Sequence, residues 1–426
     1  MKKYDGKTLL FLGTSVASVS MVKYARQEGA YVIVTDNLSP EISKAKQFAN
    51  EIAEVSTRDI DALCAFATEK KVDGVLCGVS EGNLIAVQAV CERLHLPCYF
   101  TKEQWDICQD KKSFKELCIK HGVPVPREYK IVSESDIDNV SFPVIVKPTD
   151  GFAAVGITTC YDKEHLLKAI DVAKEASKTG QYIVEDFVTG TEITAVYTIK
   201  DKQISLSILR DRYPSLDHED VTAQFDASIA PSEFYPEYMR TVDPAIKSML
   251  SAIGAYAGTV FFQGFATDRG IFIFECGYRM NALCDYNNLS QANGINYMNM
   301  MVNYALTGEM GGADLSCDDP DPDCFCCIFN MTAHGGVIAK LEGVEACLEL
   351  PGVIYAEYLL PLGHNVIENN SMAQSVFRAY INAPDLASLK NTITQMQKLV
   401  RVEDENGKDM LFLPFDVERI ADTVKK

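Results

Sequence analysis

Residues 7–37, KTLLFLGTSVASVSMVKYARQEGAYVIVTDN, constrain the fold more than any other stretch. Residues 9–12 form an unbroken apolar run that meets Gly13. Val19, Val22 and Ala25 then recur at helical spacing, and YVIVTD is a second apolar run ending at Asp36. Apolar runs without alternation mark strands buried on both faces, and such strands separated by one helix pair in parallel. The stretch therefore predicts the opening βαβ unit of a doubly wound sheet. Residues 74–77 and the helical pattern to Leu94 repeat it. A dinucleotide site at the first turn needs G-x-G-x-x-G. GTSVAS keeps only the first glycine, so this half is expected to pack rather than to bind a dinucleotide.

The 426 residues exceed one ordinary core, so roughly two to four domains are expected. No run of apolar residues is long enough for a membrane helix. The first residues, MKKYDGKTLLFLG, read as a first strand rather than a signal peptide. With 40 Lys and Arg against 59 Asp and Glu, the formal charge is −19, which repels nucleic-acid phosphates and anionic membranes. Such a chain binds a nucleotide only where lysines or arginines converge locally and a metal helps. The 14 cysteines are irregularly spaced and read as reduced thiols in a cytoplasmic enzyme. Cys324, Cys326 and Cys327 open an apolar strand and read as small buried hydrophobes rather than metal ligands.

Pro97, Pro124 and Pro126 mark a boundary, and beyond residue 141 the pattern changes. FPVIVKPTDGFAAVGITTCYD is strand, loop, strand; KEHLLKAIDVAKEAS is an amphipathic helix; QYIVEDFV is again a strand. Together they predict a small α+β lid. Strand-like runs follow at 194–199, 204–209, 260–267 and 271–275, with helical periods at 244–257 and 295–306. TGEMGGADLSCDDPDPD reads as a linker. Short strands dominate from residue 324, with one helix near 388–399.

Three segments carry the chemistry. Lys147 ends an apolar strand, an expensive place for a charge without a negative partner. The loop after it has Gly151 and Gly156 at its ends and can lay backbone N–H groups on phosphate oxygens. In IVEDFVTGTEITA, Glu185 ends a strand and Glu192 follows Gly190, two carboxylates suited to the adenine amino group and ribose hydroxyls of a nucleotide. In IFIFECGYRMNA a core strand ends in Glu275, and Arg279 comes four residues later.

In this order, Lys111 in QDKKSF, Lys147, the glycine loop, VEDFVTGTE, Gln263 and Glu275 with Arg279 resemble the ATP-grasp superfamily over nearly the whole chain. The likeness is greatest to carboxylate–amine ligases related to the L-amino acid ligases. It is more distant to biotin carboxylases and carbamoyl phosphate synthetases. The resemblance implies an α/β and α+β protein. It divides into a Rossmann-like N-terminal domain at 1–110, a two-part ATP-grasp domain at 111–311 with a mobile lid at about 126–190, and a β-rich C-terminal domain at 322–426. It implies that Lys111 and Lys147 hold the ATP phosphates under the loop 151–156. Glu185 would lie at the adenine amino group, Val188 would pair the ring through its backbone, and Glu192 would hold the ribose. Gln263 and Glu275, on neighbouring strands, would coordinate Mg2+, a hard cation suited to oxygen ligands. Lys147 and Arg279 are the implied catalytic cations.

Two departures stand out. The family's Glu-x-Asn-x-Arg reads Glu275, Cys276, Gly277, Tyr278, Arg279 here, so the second metal ligand is a glycine. Asn281 replaces it only if the chain bends. Phe152, Ala153, Ala154 and Val155 make the phosphate loop bulkier than usual. The implied activity is an ADP-forming ligase in the cytoplasm that joins a small carboxylate to an amine through an acyl phosphate, with a homodimer as the arrangement common in the family. Two other readings stay open: a bicarbonate-using carboxylase or carbamoyl-phosphate-type enzyme, and a nucleotide-binding protein without catalysis. No AMKM-like biotinylation site occurs. Among weaker candidates, His218 reads as a loop residue, one of Arg210 and Arg212 is expected to clamp a carboxylate while the other points to solvent, and His334 is expected to serve a turn.

Overall fold

The computed structural model describes residues 2–150, 156–215 and 224–420. The front of the chain is a four-stranded parallel sheet with spatial order Glu51–Ala53, Tyr31–Thr35, Thr8–Leu12, Gly74–Cys77. Its central strand is buried from Leu9 to Leu12, as the unbroken apolar run requires. Asp36, at the end of the second strand, is sealed: Lys46 lies 2.9 Å from it and Ser43 donates to it at 2.7 Å. The carboxylate that a dinucleotide ribose would need is therefore already committed. Gly74 has a packing reason, since a Cβ there would lie 2.1 Å from the carbonyl oxygen of Ala305 on helix Tyr297–Thr307.

Two helices not foreseen in the sequence follow, Lys102–Gln109 and Lys111–His121. The second starts sharply because Asp110 caps it, accepting from the Ser113 N–H at 2.8 Å, and it stops at Gly122 with φ +75°. The stretch expected to form the lid folds into a four-stranded sheet in the order Glu128–Tyr129, Tyr182–Asp186, Val144–Pro148, Thr158–Cys160, backed by helix Lys163–Ala176. Its core, built on Val144, Val146, Leu166 and Ala169, is separate from the core shared by the front sheet and the body. A unit with its own core is able to move as a unit.

The body is one eight-stranded sheet. Its order is Gly270–Gly277, Gly258–Thr267, Thr191–Lys200, Gln203–Pro214, Phe225–Ala230, Phe325–Thr332, Ser375–Ala383, Val353–Tyr358. Strand Phe225–Ala230 was not foreseen, and it joins the central strands to those after residue 324 through Ser228↔Ile328 and its neighbours. The helix expected over 244–257 is Asp243–Ala252; Gly254, with φ +72°, ends it. The acidic stretch after residue 306 is pinned to the body: the Ser207 hydroxyl donates to Asp318 at 2.7 Å, and burial raises the Asp318 carboxyl to about 6. Cys326 and Cys327 are fully buried and point into different cores. Among the described residues, no helix is long and apolar enough to cross a membrane.

Candidate active site

Lys111 sits in the first turn of its capped helix, and its N–H donates to the Thr149 carbonyl at 3.2 Å. That bond ties the helix to the end of the strand bearing Lys147. Lys147 is 3.0 Å from Glu185 Oε2 on the adjacent strand, two residues along from its register partner Ile183. A second lysine, Lys115, pairs with Glu185 Oε1. Sequence reasoning missed Lys115, although it stands one helical turn after Lys111 and so faces the same way. Both oxygens of Glu185, only 4% exposed, are thus held by lysines. Lys111, Lys147 and Glu185 line a seam of about 10 Å³ with Phe114, Ile273 and Phe274.

Val188 lies in the connector between lid strand Tyr182–Asp186 and body strand Thr191–Lys200. Glu192 opens that body strand. Arg212, opposite it in register, pairs with Glu192 Oε1, and Gln263 Nε2 donates to the same oxygen at 3.3 Å. Arg212 therefore does not point to solvent. Neither does Arg210, which is fully buried, paired with Asp285 and bonded to the Cys326 carbonyl at 2.6 Å and to Asn288 at 2.9 Å. The expectation that one of the two faces water fails because Asp285 supplies a buried counter-charge that the local sequence does not reveal.

Gln263 and Glu275 are directly opposite on neighbouring strands, next to a bulge at Gln263 and Gly264. Because Gln263 Nε2 is used on Glu192, its amide oxygen is the atom left for a cation. Surrounding protein raises the Glu275 carboxyl above its ordinary range, while Lys111 and Arg279 pull it back. Burial in turn lowers the Lys111 ammonium, Glu275 opposes that and Lys147 adds to it. Arg279 reaches the front domain, with Nη2 3.0 Å from Glu81 and its guanidinium 4.9 Å above the Phe261 ring. Asn281 does not take the place of the missing ligand: its side chain donates to Asp285 at 2.7 Å and accepts from the Leu283 N–H at 3.1 Å.

The obstacle at Gly277 is a side chain, not a backbone angle. A Cβ there would lie 2.4 Å from the Phe261 ring, which is buried beneath Arg279. Phe261 thus fills the space a ligand at 277 would use. Gly277→Asn is expected to destabilise by about 1–3 kcal/mol through overpacking, without tightening magnesium. The double variant with Phe261→Ala should recover stability relative to the single one and bind magnesium more tightly. Thermal melts and magnesium titrations decide this; a stable single variant with tighter magnesium would contradict it.

Gln263, Glu275 and Arg279 open onto a cavity of about 1090 Å³ that the front loop at residues 14–20 and the strands near Tyr355 and Arg378 also line. In a chain of charge −19, its walls carry five cations, Lys23, Lys44, Arg212, Arg279 and Arg378, against two carboxylates, Glu275 and Glu357. Among the described residues no cluster of three or more His, Cys, Asp or Glu forms a metal site. One carboxylate and one amide suit magnesium that arrives with phosphate oxygens and water, not a cage built by protein alone. Gly156 keeps φ +76° and packs so closely on helix Lys163–Ala176 that a Cβ would lie 2.5 Å from Ala176. Gly151, residues 152–155 and His218 lie outside the described residues. His334 meets Glu368 at 3.3 Å, and its N–H donates to the Met410 carbonyl at 2.7 Å.

Residues 140–285 match the family model of the ATP-grasp domain. A D-alanine–D-alanine ligase from Granulibacter bethesdensis is 25% identical over 167 residues, 38% of this chain and 53% of that protein. The chain spans about a third to a half of the length of the curated relatives it matches, 30% to 53%. In fold, it is similar to phosphoribosylglycinamide synthetase from Anaerococcus prevotii, with TM-score 0.76 and 17% identity over 94% of this chain and 100% of that one. It is likewise similar to L-amino acid ligase from Bacillus licheniformis, with TM-score 0.75 and 15% identity over the same shares. The matched stretch contains Lys147, Glu185, Glu192, Gln263, Glu275 and Arg279, so the residues gathered at the site lie in the part of the chain that matches the ATP-grasp domain.

Proposed function

We propose that the protein is an ADP-forming ligase that joins a small carboxylic acid to an amine through an acyl phosphate. The observation that carries this reading is the cationic cavity ending at Glu275, Gln263 and Arg279. At about 1090 Å³ it suits an organic acid together with an amine, whereas bicarbonate would leave most of it unfilled. ATP would enter the seam between lid and body. Lys111 and Lys147 would meet its phosphates, and Glu192 would offer Oε2 to the ribose. Glu185 would approach the adenine amino group with Val188 beside the ring. The seam is narrow, so the lid must swing away to admit a nucleotide, a motion its separate core permits.

In the first half-reaction an oxygen of the substrate carboxylate bonds to the γ-phosphorus while the bridging P–O bond to ADP breaks. In the second, the amine nitrogen attacks the acyl carbon, the C–O bond to phosphate breaks, and the surplus ammonium proton passes to solvent. The protein's part is to position reactants and offset charge. Lys111 and Lys147 offset the phosphates, and Arg279 stabilises the oxyanion at the acyl carbon. Gln263 and Glu275 would hold Mg2+, which would supply further neutralisation of phosphate charge. The closed lid keeps water from the acyl phosphate.

The ring of Phe261 in the place of a metal ligand favours a second reading, a nucleotide-binding protein without catalysis. One assay separates the readings: ADP release with magnesium and paired amino acids, with and without bicarbonate. The ligase reading expects release that depends on both an acid and an amine and ignores bicarbonate. Bicarbonate-dependent release would favour a carboxylase, and binding of ATP with no release under any condition would favour the non-catalytic reading.

A further inference from the structure

Arg378, on strand Ser375–Ala383, lines the cavity and is only 3% exposed. Its Nε donates to Asn330 Oδ1 at 2.8 Å and its Nη1 to the Ala282 carbonyl at 2.7 Å. Both acceptors are neutral. Glu357 stands opposite on the neighbouring strand, yet does not close to ion-pair distance. The buried Arg210, by contrast, has its carboxylate in Asp285. A buried guanidinium hydrogen-bonded only to neutral groups, with its nearest carboxylate, Glu357, acting on it from beyond ion-pair distance, keeps an unmet preference for a close anion. Nearby, the hydroxyl of Ser375 is buried, lines the same cavity and has no hydrogen-bond partner. Ile354, Leu359, Leu360 and Met372 supply an apolar wall to this part of the cavity.

We propose that Arg378 and Ser375 bind the carboxylate of the amine-bearing substrate, and that this substrate is an α-amino acid with an apolar side chain. The proposal rests on the ligase reading and adds the identity of the acceptor. A carboxylate held at Arg378 is not the one being phosphorylated, which must lie at Arg279 and Glu275, so it stays free in the product. Both arginines line one cavity, and Arg378 bonds to the carbonyl of Ala282, three residues after Arg279. A small molecule can therefore rest its carboxylate on one arginine and carry its amine toward the other. A planar guanidinium takes a carboxylate by two parallel hydrogen bonds, and an amide in its place offers neither the charge nor both acceptors.

The test is calorimetry with L-leucine, L-phenylalanine and L-methionine, each beside its C-terminal amide, on the wild type and on Arg378→Met and Ser375→Ala. The free acids should bind the wild type at least about tenfold more tightly than the amides. Arg378→Met should erase that preference with ATP affinity unchanged, and Ser375→Ala should reduce it severalfold; the second variant decides if the first does not fold. Equal binding of acid and amide, no binding of any of the three acids, or a preference that survives both substitutions would overturn the proposal. ADP release with the same compounds separates it from the reading beneath. A preference erased by Arg378→Met with no ADP release removes the ligase and keeps the clamp; release that is equal with acids and amides keeps the ligase and removes the clamp.

Discussion

Lys147→Ala is expected to lower ATP-dependent turnover by at least about 100-fold, the scale for losing one preorganised group that stabilises transition-state charge. The lysine ends a lid strand beside Lys111, and its amine lies where lid and body meet. The same substitution takes one of two lysines from Glu185. Lys115 still holds Oε1, so the carboxylate is not stranded, and the loss of stability should stay near the 1–3 kcal/mol of one broken charged hydrogen bond. Steady-state ADP release and a thermal melt check both halves. Unchanged turnover in a folded variant would remove Lys147 from the phosphate site.

Arg279→Ala should separate binding from chemistry. Its guanidinium lies on Phe261 and Glu81 at the cavity end, while Lys111, Lys147 and Glu185 line the seam. The KM for ATP should therefore hold nearly constant while kcat falls by about 10²–10³, because the charge is needed mainly as the acyl carbon reacts. Arg279→Lys should recover little, since an ammonium neither stacks on the ring nor offers a planar fork. A parallel rise in KM with kcat unchanged would make Arg279 a binding residue instead.

What the sequence made legible follows from range. The parallel front sheet could be read because its strands are continuous apolar runs between glycine turns. Gln263 facing Glu275 could be read because two short strands in succession pair as a hairpin. Strand Phe225–Ala230 could not: FDASIA places Asp226 and Ser228 among its apolar residues, and only the neighbouring strands bury them. The buried role of Arg210 depends on Asp285, 75 residues away. Phe261 reads as one more core aromatic until Gly277 is placed against its ring, and Arg378 reads as a strand arginine until its partners prove to be neutral.

The acyl phosphate itself can be followed directly. With the acid–amine pair that gives the most ADP, both oxygens of the acid's carboxylate are labelled with 18O and the released phosphate is analysed by mass spectrometry. The ligase account predicts one 18O in each phosphate, carried over when the acyl C–O bond breaks. Phosphate free of 18O, with ADP still formed, would mean that the carboxylate never attacked the γ-phosphorus and would contradict the account.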